Sequence, residues 1–333
     1  MDNQIDIVIP WVDGDDPEWQ AEYSQYKAQP KADSNAARYR DWDTLKFWFR
    51  GIDKFAPWVR KVHFLTWGHL PKWLNVNHPK INIVNHKDFI PEKYLPTFSS
   101  HVIELNLHRI PDLAEKFIYF NDDVYLTKPT KETDFFKNGI PVEAGVFGII
   151  KIHNTQNFMP YVMLNMLAII NMHFSKRKMI TRDFFKWFNP KLGKMLFNNL
   201  YFAPFGNNTG FRNFHSCSPL LKSTYKTVWE TIPEVLDETC KNRFRSRDDV
   251  NQYIFRYWQF CSGNFVQRHP MSSYLTIGKD NSEKILKTLN SNKYKVVCVN
   301  DDPLGFDFEK EQALLVDTFQ KLFPEKSDYE LEA

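Results

Sequence analysis

The sequence predicts an α/β fold, built on a mixed sheet with helices on both faces. Residues 5–12 form a nearly continuous apolar run, as expected of a strand buried on both sides. Strand-like and helix-like segments then alternate in the order β-α-β-β-α-β as far as residue 126. Acidic turns follow two of the apolar runs, at residues 13–17 and 121–123. Ligands of such folds bind at the carboxyl edge of the parallel strands, so these turns indicate the candidate site.

The first predicted strand ends in the acidic turn DGDDP, which begins at Asp13. After the first strand of an α/β sheet, such a turn can be a nucleotide-binding loop, and the alternative is an ordinary polar turn. Polar residues 18–37 are expected to form a helix and a loop. The second and third strands are predicted at residues 61–67 and 81–85.

Two arginines, Arg38 and Arg40, stand before a helix predicted at residues 43–55. Asp41 or Asp43 is expected to cap its N-terminus. Guanidinium groups add to the free N–H groups at such an end, so this position favours an anion such as phosphate.

The fourth predicted strand, residues 116–120, ends in an Asn-Asp-Asp turn that contains Asp122 and Asp123. Adjacent carboxylates behind a buried strand are costly to bury unpaired, so they need a cation, a cage of hydrogen bonds or water. A divalent metal, Mg²⁺ or Mn²⁺, that holds a nucleotide diphosphate fits this position. The alternative is a solvated turn, because Asp-Asp turns are common.

A helix predicted at residues 101–109 precedes that strand. It places Glu104 and His108 four residues apart on one face, with Arg109 beside them. Helix and strand together are expected to bring a carboxylate, an imidazole and a guanidinium toward the metal position.

The pattern changes after residue 126. Residues 144–151 are predicted as a strand, and residues 151–210 as two or three amphipathic helices rich in lysine, arginine and aromatic residues. Such a surface can face anionic lipid headgroups or an anionic acceptor, and the alternative is an ordinary solvated helical face. We expect residues 1–150 to be a nucleotide-binding α/β core, residues 151–210 an added helical subdomain, and residues 211–333 to complete the core and the site.

The last third offers further site candidates. His215 stands before a helix that Pro219 is expected to help start, at residues 219–240. The segment RFRSRDD carries Arg245, and its paired acids are expected in the first turn of a helix at residues 248–261. A strand at residues 293–299 and a helix at residues 308–323 follow.

Composition excludes several classes of protein. The net charge of +3 does not indicate a global nucleic-acid-binding field. The four cysteines form no CxxC pair, which argues against a zinc site and suits a reducing cytoplasm. No signal peptide and no membrane-spanning run is apparent. We therefore expect a cytoplasmic protein, with peripheral contact to the inner face of the plasma membrane as a further expectation.

Taken together and in this order, four stretches resemble the Stealth family. This family comprises bacterial capsular-polysaccharide phosphotransferases and the animal lysosomal-enzyme N-acetylglucosamine-1-phosphotransferase. The stretches are IDIVIPWVDGDDPEW at residues 5–19, residues 38–126 ending in FIYFNDDVYL, residues 215–240 beginning HSCSPLLK, and RFRSRDDVNQYIFRYWQF at residues 243–260. The resemblance implies a glycosyltransferase-A-like, Rossmann-like core, a UDP-sugar donor and dependence on a divalent metal.

The resemblance also assigns residues. The family's essential Glu, second Asp of the Asn-Asp-Asp motif, His and Arg fall on Glu104, Asp123, His215 and Arg245. The third stretch departs from the animal pattern, because Cys217 stands where those members have a proline. The large spacer modules of the animal enzyme are absent, which favours the bacterial capsule branch.

The expected reaction moves sugar-1-phosphate from a UDP-sugar to a hydroxyl of a polysaccharide or lipid-linked oligosaccharide and releases UMP. His215 is the expected base, with Glu104 orienting it or serving as the base itself. Alternatives are a glycosyltransferase that releases UDP and a non-catalytic polysaccharide-binding protein. The residues expected to hold the donor and its phosphates are Asp13, Arg38, Arg40, Arg109 and Arg245.

Overall fold

The computed structural model describes residues 4–26, 39, 41–155, 157–277, 280, 282–301 and 306–332. Its strands are β1 (Ile5–Pro10), β2 (Val62–Thr66), β3 (Ile81–Asn85), β4 (Lys116–Tyr119), β5 (Val124–Leu126), β6 (Phe136–Lys137), β7 (Ile140–Glu143), β8 (Ser218–Leu221), β9 (Val266–Gln267), β10 (Ser272–Ile277) and β11 (Val296–Asp301). Its helices are α1 (Pro17–Tyr26), α2 (Leu45–Phe55), α3 (His86–Phe89), α4 (Ser100–Leu105), α5 (Met159–His173), α6 (Lys176–Arg182), α7 (Phe184–Trp187), α8 (Leu196–Phe202), α9 (Lys222–Thr231), α10 (Pro233–Cys240), α11 (Tyr253–Ser262), α12 (Ser282–Asn290) and α13 (Phe308–Leu322).

The main sheet has five strands in the order β3-β2-β1-β4-β8. The first four run parallel, and β8 pairs antiparallel with β4. Strands β1, β2 and β4 are buried along nearly their whole length, which explains their continuous apolar sequences. The predicted mixed, mostly parallel α/β sheet is confirmed.

A second sheet has the strand order β10-β11-β5, and its strand β5 follows β4 in the chain. Strand β11 pairs antiparallel with β5 and parallel with β10. The Asn-Asp-Asp turn lies between β4 and β5, so it carries the chain from one sheet to the other. This position explains why the turn faces groups from two sheets. Strands β6, β7 and β9 form a third, small sheet.

Helices cover both faces of the main sheet, as the two largest apolar clusters show. Val8 of β1 belongs to a cluster with residues of α4, α5 and α11. Its neighbours Ile7 and Ile9 belong to the opposite cluster, with residues of α2, α13 and the second sheet. The alternation follows from the two-residue period of a strand, which points successive side chains to opposite faces.

The predicted helix at residues 101–109 ends early. Helix α4 stops at Leu105, and a separate 3₁₀ turn spans Leu107–Arg109. Asn106 makes the break, because its amide donates to the carbonyl of Val102 and accepts from the Arg109 side chain. Asparagine side chains compete with backbone hydrogen bonds in this way, so Glu104, His108 and Arg109 do not share one helical face.

Four further element predictions need correction. Residues 144–151 form only an isolated bridge, between Phe147 and Phe211, and the backbone at Gly145 and Phe147 also bonds to the side chain of Asn199. Pro219 lies in β8, an edge strand where its missing N–H is tolerated, and the helix begins at Lys222. Helix α2 begins at Leu45 after Thr44, so neither Asp41 nor Asp43 is its N-cap. Helix α11 begins at Tyr253, so the acids of RFRSRDD precede it.

The short strands β5, β6, β7, β9 and β10 and the helices α3 and α12 were not predicted. The strand and helix of the C-terminal tail, β11 and α13, agree with prediction. Within the described residues, no helix combines the length and the apolar character needed to cross a bilayer.

Candidate active site

Asp123 lies at the junction of the two larger sheets and is contacted by polar groups from two distant segments of the chain. Its Oδ2 accepts hydrogen bonds from Asn300 Nδ2 at 3.0 Å and from Cys298 Sγ at 3.3 Å, both on β11. His215 Nε2 lies 3.4 Å from the same oxygen. The other oxygen, Oδ1, is buried and has no hydrogen-bond partner. The carboxylate is therefore held in place through Oδ2, while Oδ1 remains available as a ligand.

His215 lies three residues before β8 begins, and its backbone is in the left-handed region, with φ of +42°. Non-glycine residues in this region cost energy and are found where the surrounding structure fixes them, often at functional sites. Its ring lies edge-on to that of Tyr274, with ring centroids 5.3 Å apart. Burial alone would lower the pKa of His215, but the hydrogen bond and charge of Asp123 raise it.

The pKa values of the two carboxylates of the turn are shifted in opposite directions. Burial works to raise the pKa of Asp123, yet His215 and Asn300 lower it. The pKa of Asp122 is raised to about 7, by the protein crowded around it and by the charge of Asp123, although its side chain keeps contact with solvent. Two neighbouring carboxylates with separated pKa values are typical of functional sites.

Glu104 is buried on α4 behind this pair. It accepts hydrogen bonds from the Tyr119 hydroxyl at 3.4 Å and from the backbone N–H of Gln252 at 3.2 Å. Its negative charge raises the pKa of His215. Glu104 therefore acts on the site through its charge, and its position is fixed by hydrogen bonds from β4 and from the residue before α11.

Arg245 comes to the site from the loop before α11. Its Nη2 donates to Ser100 Oγ at 2.7 Å. Its positive charge partly opposes the raised pKa values of Asp122 and His215. Buried Asp249, four residues after Arg245, holds this loop in place. It accepts a hydrogen bond from the Ser246 N–H and pairs with His101 Nδ1, each at 2.8 Å.

The structure thus brings Glu104, Asp122, Asp123, His215 and Arg245 together. It does not bring Arg109 there: the guanidinium stacks on Trp229, 5.0 Å from its ring centroid. His108 packs beside the same ring, and burial together with the charge of Arg109 lowers its pKa to about 3.

The remaining donor-binding predictions lie at the margin of the site. The backbone N–H of Asp13 donates to His69 Nε2. Burial raises the pKa of Asp41 and the charge of Asp13 adds to this, while the charge of Asp41 adds to the raised pKa of Asp122. Arg38 and Arg40 lie outside the described residues.

Sequence reasoning missed Cys298, Asn300 and Ser100. A signal for the first two was present, because the apolar run before Asn300 ends in a second Asn-Asp-Asp, like the one at residues 121–123. Residues two apart on a strand share a face, which is why Cys298 and Asn300 both reach Asp123.

The residues present fit a divalent cation. Mg²⁺ and Mn²⁺ prefer oxygen ligands, and the partnerless Oδ1 of Asp123 beside Asp122 supplies them. A cation there would also offset the mutual repulsion of the two carboxylates. His215, Asp123 and Cys298 place ligand atoms within 4.8 Å of one another. Burial and nearby carboxylates hold the pKa of the Cys298 thiol well above its usual range, so it stays protonated and suits a hydrogen-bond donor.

The chain thus has a mixed α/β sheet with carboxylates, an imidazole and a guanidinium at its carboxyl edge. Its full-length relatives are named as phosphotransferases, so the protein is a transferase of phosphate-containing groups. Three family models match the chain. The model of Stealth conserved region 1 matches residues 3–30, that of region 2 matches residues 38–142, and that of region 4 matches residues 287–333. The chain belongs to the Stealth family. The fourth region was predicted at residues 243–260, and this placement is wrong, because the region 4 model matches the tail that contains β11 and α13.

Relatives extend over the whole chain. A capsular polysaccharide phosphotransferase, WcwK, from Streptococcus pneumoniae is 40% identical over 98% of both chains. A receptor polysaccharide phosphotransferase, WefC, from Streptococcus oralis is 38% identical over 99% of this chain and 100% of its own. The exopolysaccharide phosphotransferase cps2G of Lactiplantibacillus plantarum is 34% identical over 98% of this chain and 96% of its own. Among solved structures, galactosyltransferase LgtC is 12% identical, with a TM-score of 0.39, over 97% of this chain and 96% of its own.

Proposed function

We propose that the protein transfers sugar-1-phosphate from a UDP-sugar to a hydroxyl of a capsular or other cell-surface polysaccharide, or of its lipid-linked precursor, and releases UMP. The observation that carries this proposal is the convergence of Glu104, Asp123, His215 and Arg245, from distant parts of the chain, on one carboxyl edge. The polysaccharide phosphotransferase names of the full-length relatives support the reaction class and the kind of acceptor.

In this reaction the acceptor oxygen forms a bond to the β-phosphorus of the donor, and the bond from that phosphorus to the oxygen bridging to UMP breaks. Neutral His215 takes the acceptor proton, and the Asp123 carboxylate, 3.4 Å away, stabilises the imidazolium that results. Glu104 adds a second negative charge that favours this imidazolium.

Arg245 neutralises charge on the phosphate oxygens, which is the main requirement of phosphoryl transfer. Its bond to Ser100 and the fixed loop around Asp249 hold the guanidinium in place before the donor arrives. A divalent cation held by Asp122 and Asp123, when bound, would neutralise further charge on the diphosphate.

The identity of the released nucleotide tests the proposal. The full chain would be incubated with a panel of UDP-sugars, Mg²⁺ or Mn²⁺ and an acceptor oligosaccharide, and the nucleotides separated by chromatography. UMP formed only when acceptor is present is the expected result. UDP as the sole product would mean attack at the anomeric carbon, and the protein would be a glycosyltransferase. The Asp123→Asn variant serves as the matched control for contaminating hydrolases.

A further inference from the structure

Helix α8 presents three large apolar side chains to solvent while a polar residue, Asn199, faces the protein. Phe197, Leu200 and Tyr201 are 73%, 50% and 68% exposed. Their spacing of three and four residues places them on one face of the helix. Asn199, by contrast, is fully buried. A helix that served only to cover the core would keep side chains such as Phe197, Leu200 and Tyr201 against the protein.

The side chain of Asn199 uses both its amide nitrogen and its oxygen in hydrogen bonds to backbone groups, and these bonds fix the orientation of α8. Asn199 Nδ2 donates to the carbonyls of Trp187 at 2.7 Å and Gly145 at 3.0 Å. Its Oδ1 accepts from the N–H of Phe147 at 2.7 Å. Rotating the helix to bury its apolar face would leave these backbone groups unpaired, which is costly inside a protein.

The neighbouring elements extend the apolar surface and surround it with positive charge. Phe184, Phe185 and Phe205 are also exposed. Lys191 and Lys194, in the turn that leads into α8, are exposed as well. Residues 144–229 contain a single acidic residue, Asp183, and it is paired with Arg182 and Lys186. The stretch of chain that contains α8 therefore carries a net positive charge.

Exposed aromatic residues bordered by lysines and free of acids match the boundary of an anionic bilayer. Aromatic and leucine side chains partition into the acyl boundary, while lysines reach the phosphate groups. A protein partner of ordinary composition would not require the near absence of acidic residues over this length of chain. We propose that α8, with the lysines before it, docks the protein on the surface of an anionic phospholipid membrane.

The docking face adjoins the candidate active site. Leu192, with Met195 and Leu196 at the start of α8, packs in one apolar cluster with Phe214, the residue before His215. Docking through α8 would hold the His215 loop close to the headgroup layer, where a lipid-linked acceptor ends. The inference concerns membrane binding itself and does not depend on the proposed reaction.

Lys176 is not part of this surface, although it belongs to the basic segment. It is buried, and its ammonium group donates to the carbonyls of Phe202 and Asn207. Burial lowers its pKa to about 8. Its replacement by glutamate would disrupt the attachment of α6 to α8, so membrane variants must leave it intact.

The test is sedimentation of the full chain with vesicles of phosphatidylglycerol mixed with phosphatidylcholine, compared with vesicles of phosphatidylcholine alone. The wild-type protein should bind the anionic vesicles and lose most of this binding in high salt. The triple variant Phe197→Ser, Leu200→Ser, Tyr201→Ser should bind at least about tenfold more weakly, because three apolar side chains no longer enter the boundary. Lys191→Glu with Lys194→Glu should weaken binding by about tenfold or more.

Matched controls carry the same changes on other surfaces. Val76→Ser with Leu331→Ser removes exposed apolar side chains elsewhere, and Lys72→Glu with Lys87→Glu reverses exposed charges elsewhere. These variants should bind as the wild type does, and all variants should keep its melting temperature, because exposed substitutions change stability little.

Wild-type protein that fails to bind anionic vesicles would overturn the proposal, as would an α8 triple variant that binds normally. Sedimentation equilibrium supplies an independent check. A dimer that the α8 triple variant abolishes, with no vesicle binding by the wild type, would assign the surface to self-association instead.

Discussion

The substitution His215→Asn is expected to slow turnover severely while leaving the fold intact. Asparagine keeps a polar side chain of moderate size but has no ring nitrogen that can accept the acceptor proton. Loss of a general base lowers the rate by ~10²–10⁴, equivalent to a rise of ~2.7–5.5 kcal/mol in the activation barrier. Donor affinity should change little, since the base contacts the acceptor and not the UDP.

The structure explains why stability should survive. The pair that His215 forms with Asp123 spans 3.4 Å between side chains that are 36% and 20% exposed, so its contribution is at most about 1 kcal/mol. The backbone at position 215 is left-handed, and asparagine tolerates this region better than histidine does. Relief of strain offsets the lost contact, so the free energy of unfolding should stay within about 1 kcal/mol of the wild type.

The assay combines three measurements: kcat from UMP release, donor Kd from titration calorimetry, and unfolding in urea. His153→Asn, at an exposed histidine elsewhere, is the matched control and should behave as the wild type. Near-normal turnover by His215→Asn would refute the assignment. If Glu104→Gln were then inactive, Glu104 would be the base and His215 a structural residue.

Three further predictions concern the charged groups. Arg245→Ala should raise the donor Kd and lower kcat, because a phosphate clamp acts in both ground and transition states; unchanged donor affinity would contradict this. Asp123→Asn should abolish activity and Mn²⁺ binding in calorimetry while the protein stays folded, and full activity in excess chelator would show that no metal is needed. Glu330→Gln should lower the free energy of unfolding by about 3 kcal/mol at neutral pH, because it breaks a buried bidentate pair with Arg50, at 2.7 Å. Burial works to raise the pKa of Glu330 but Arg50 lowers it overall, so its contribution is present above the unfolded pKa of about 4.3 and is lost as pH falls through the lower folded pKa. The stability gap between wild type and variant should therefore close in acid, and parallel pH curves would count against the pair.

Several features could be read from the chain because their causes are local. Apolar runs at β1, β2 and β4 encode strands buried on two faces, and their alternation with helices encodes a mostly parallel sheet. The Asn-Asp-Asp turn after β4 marked the carboxyl edge, because paired acids behind a buried strand need a partner. The resemblance to conserved regions added His215 and Arg245, which local pattern alone left open between structural and functional roles.

The tertiary structure decided what depends on contacts between distant residues. Asn106 redirects the chain after α4 through its own side-chain bonds, and this separates Arg109 from Glu104. Cys298 and Asn300 stand 175 and 177 residues after Asp123 in the chain, and they reach it because β11 pairs with β5. The outward apolar face of α8 depends on what Asn199 bonds beneath it. A sequence states the period of a helix, but the direction in which its faces point is set by the partners that the fold brings against it.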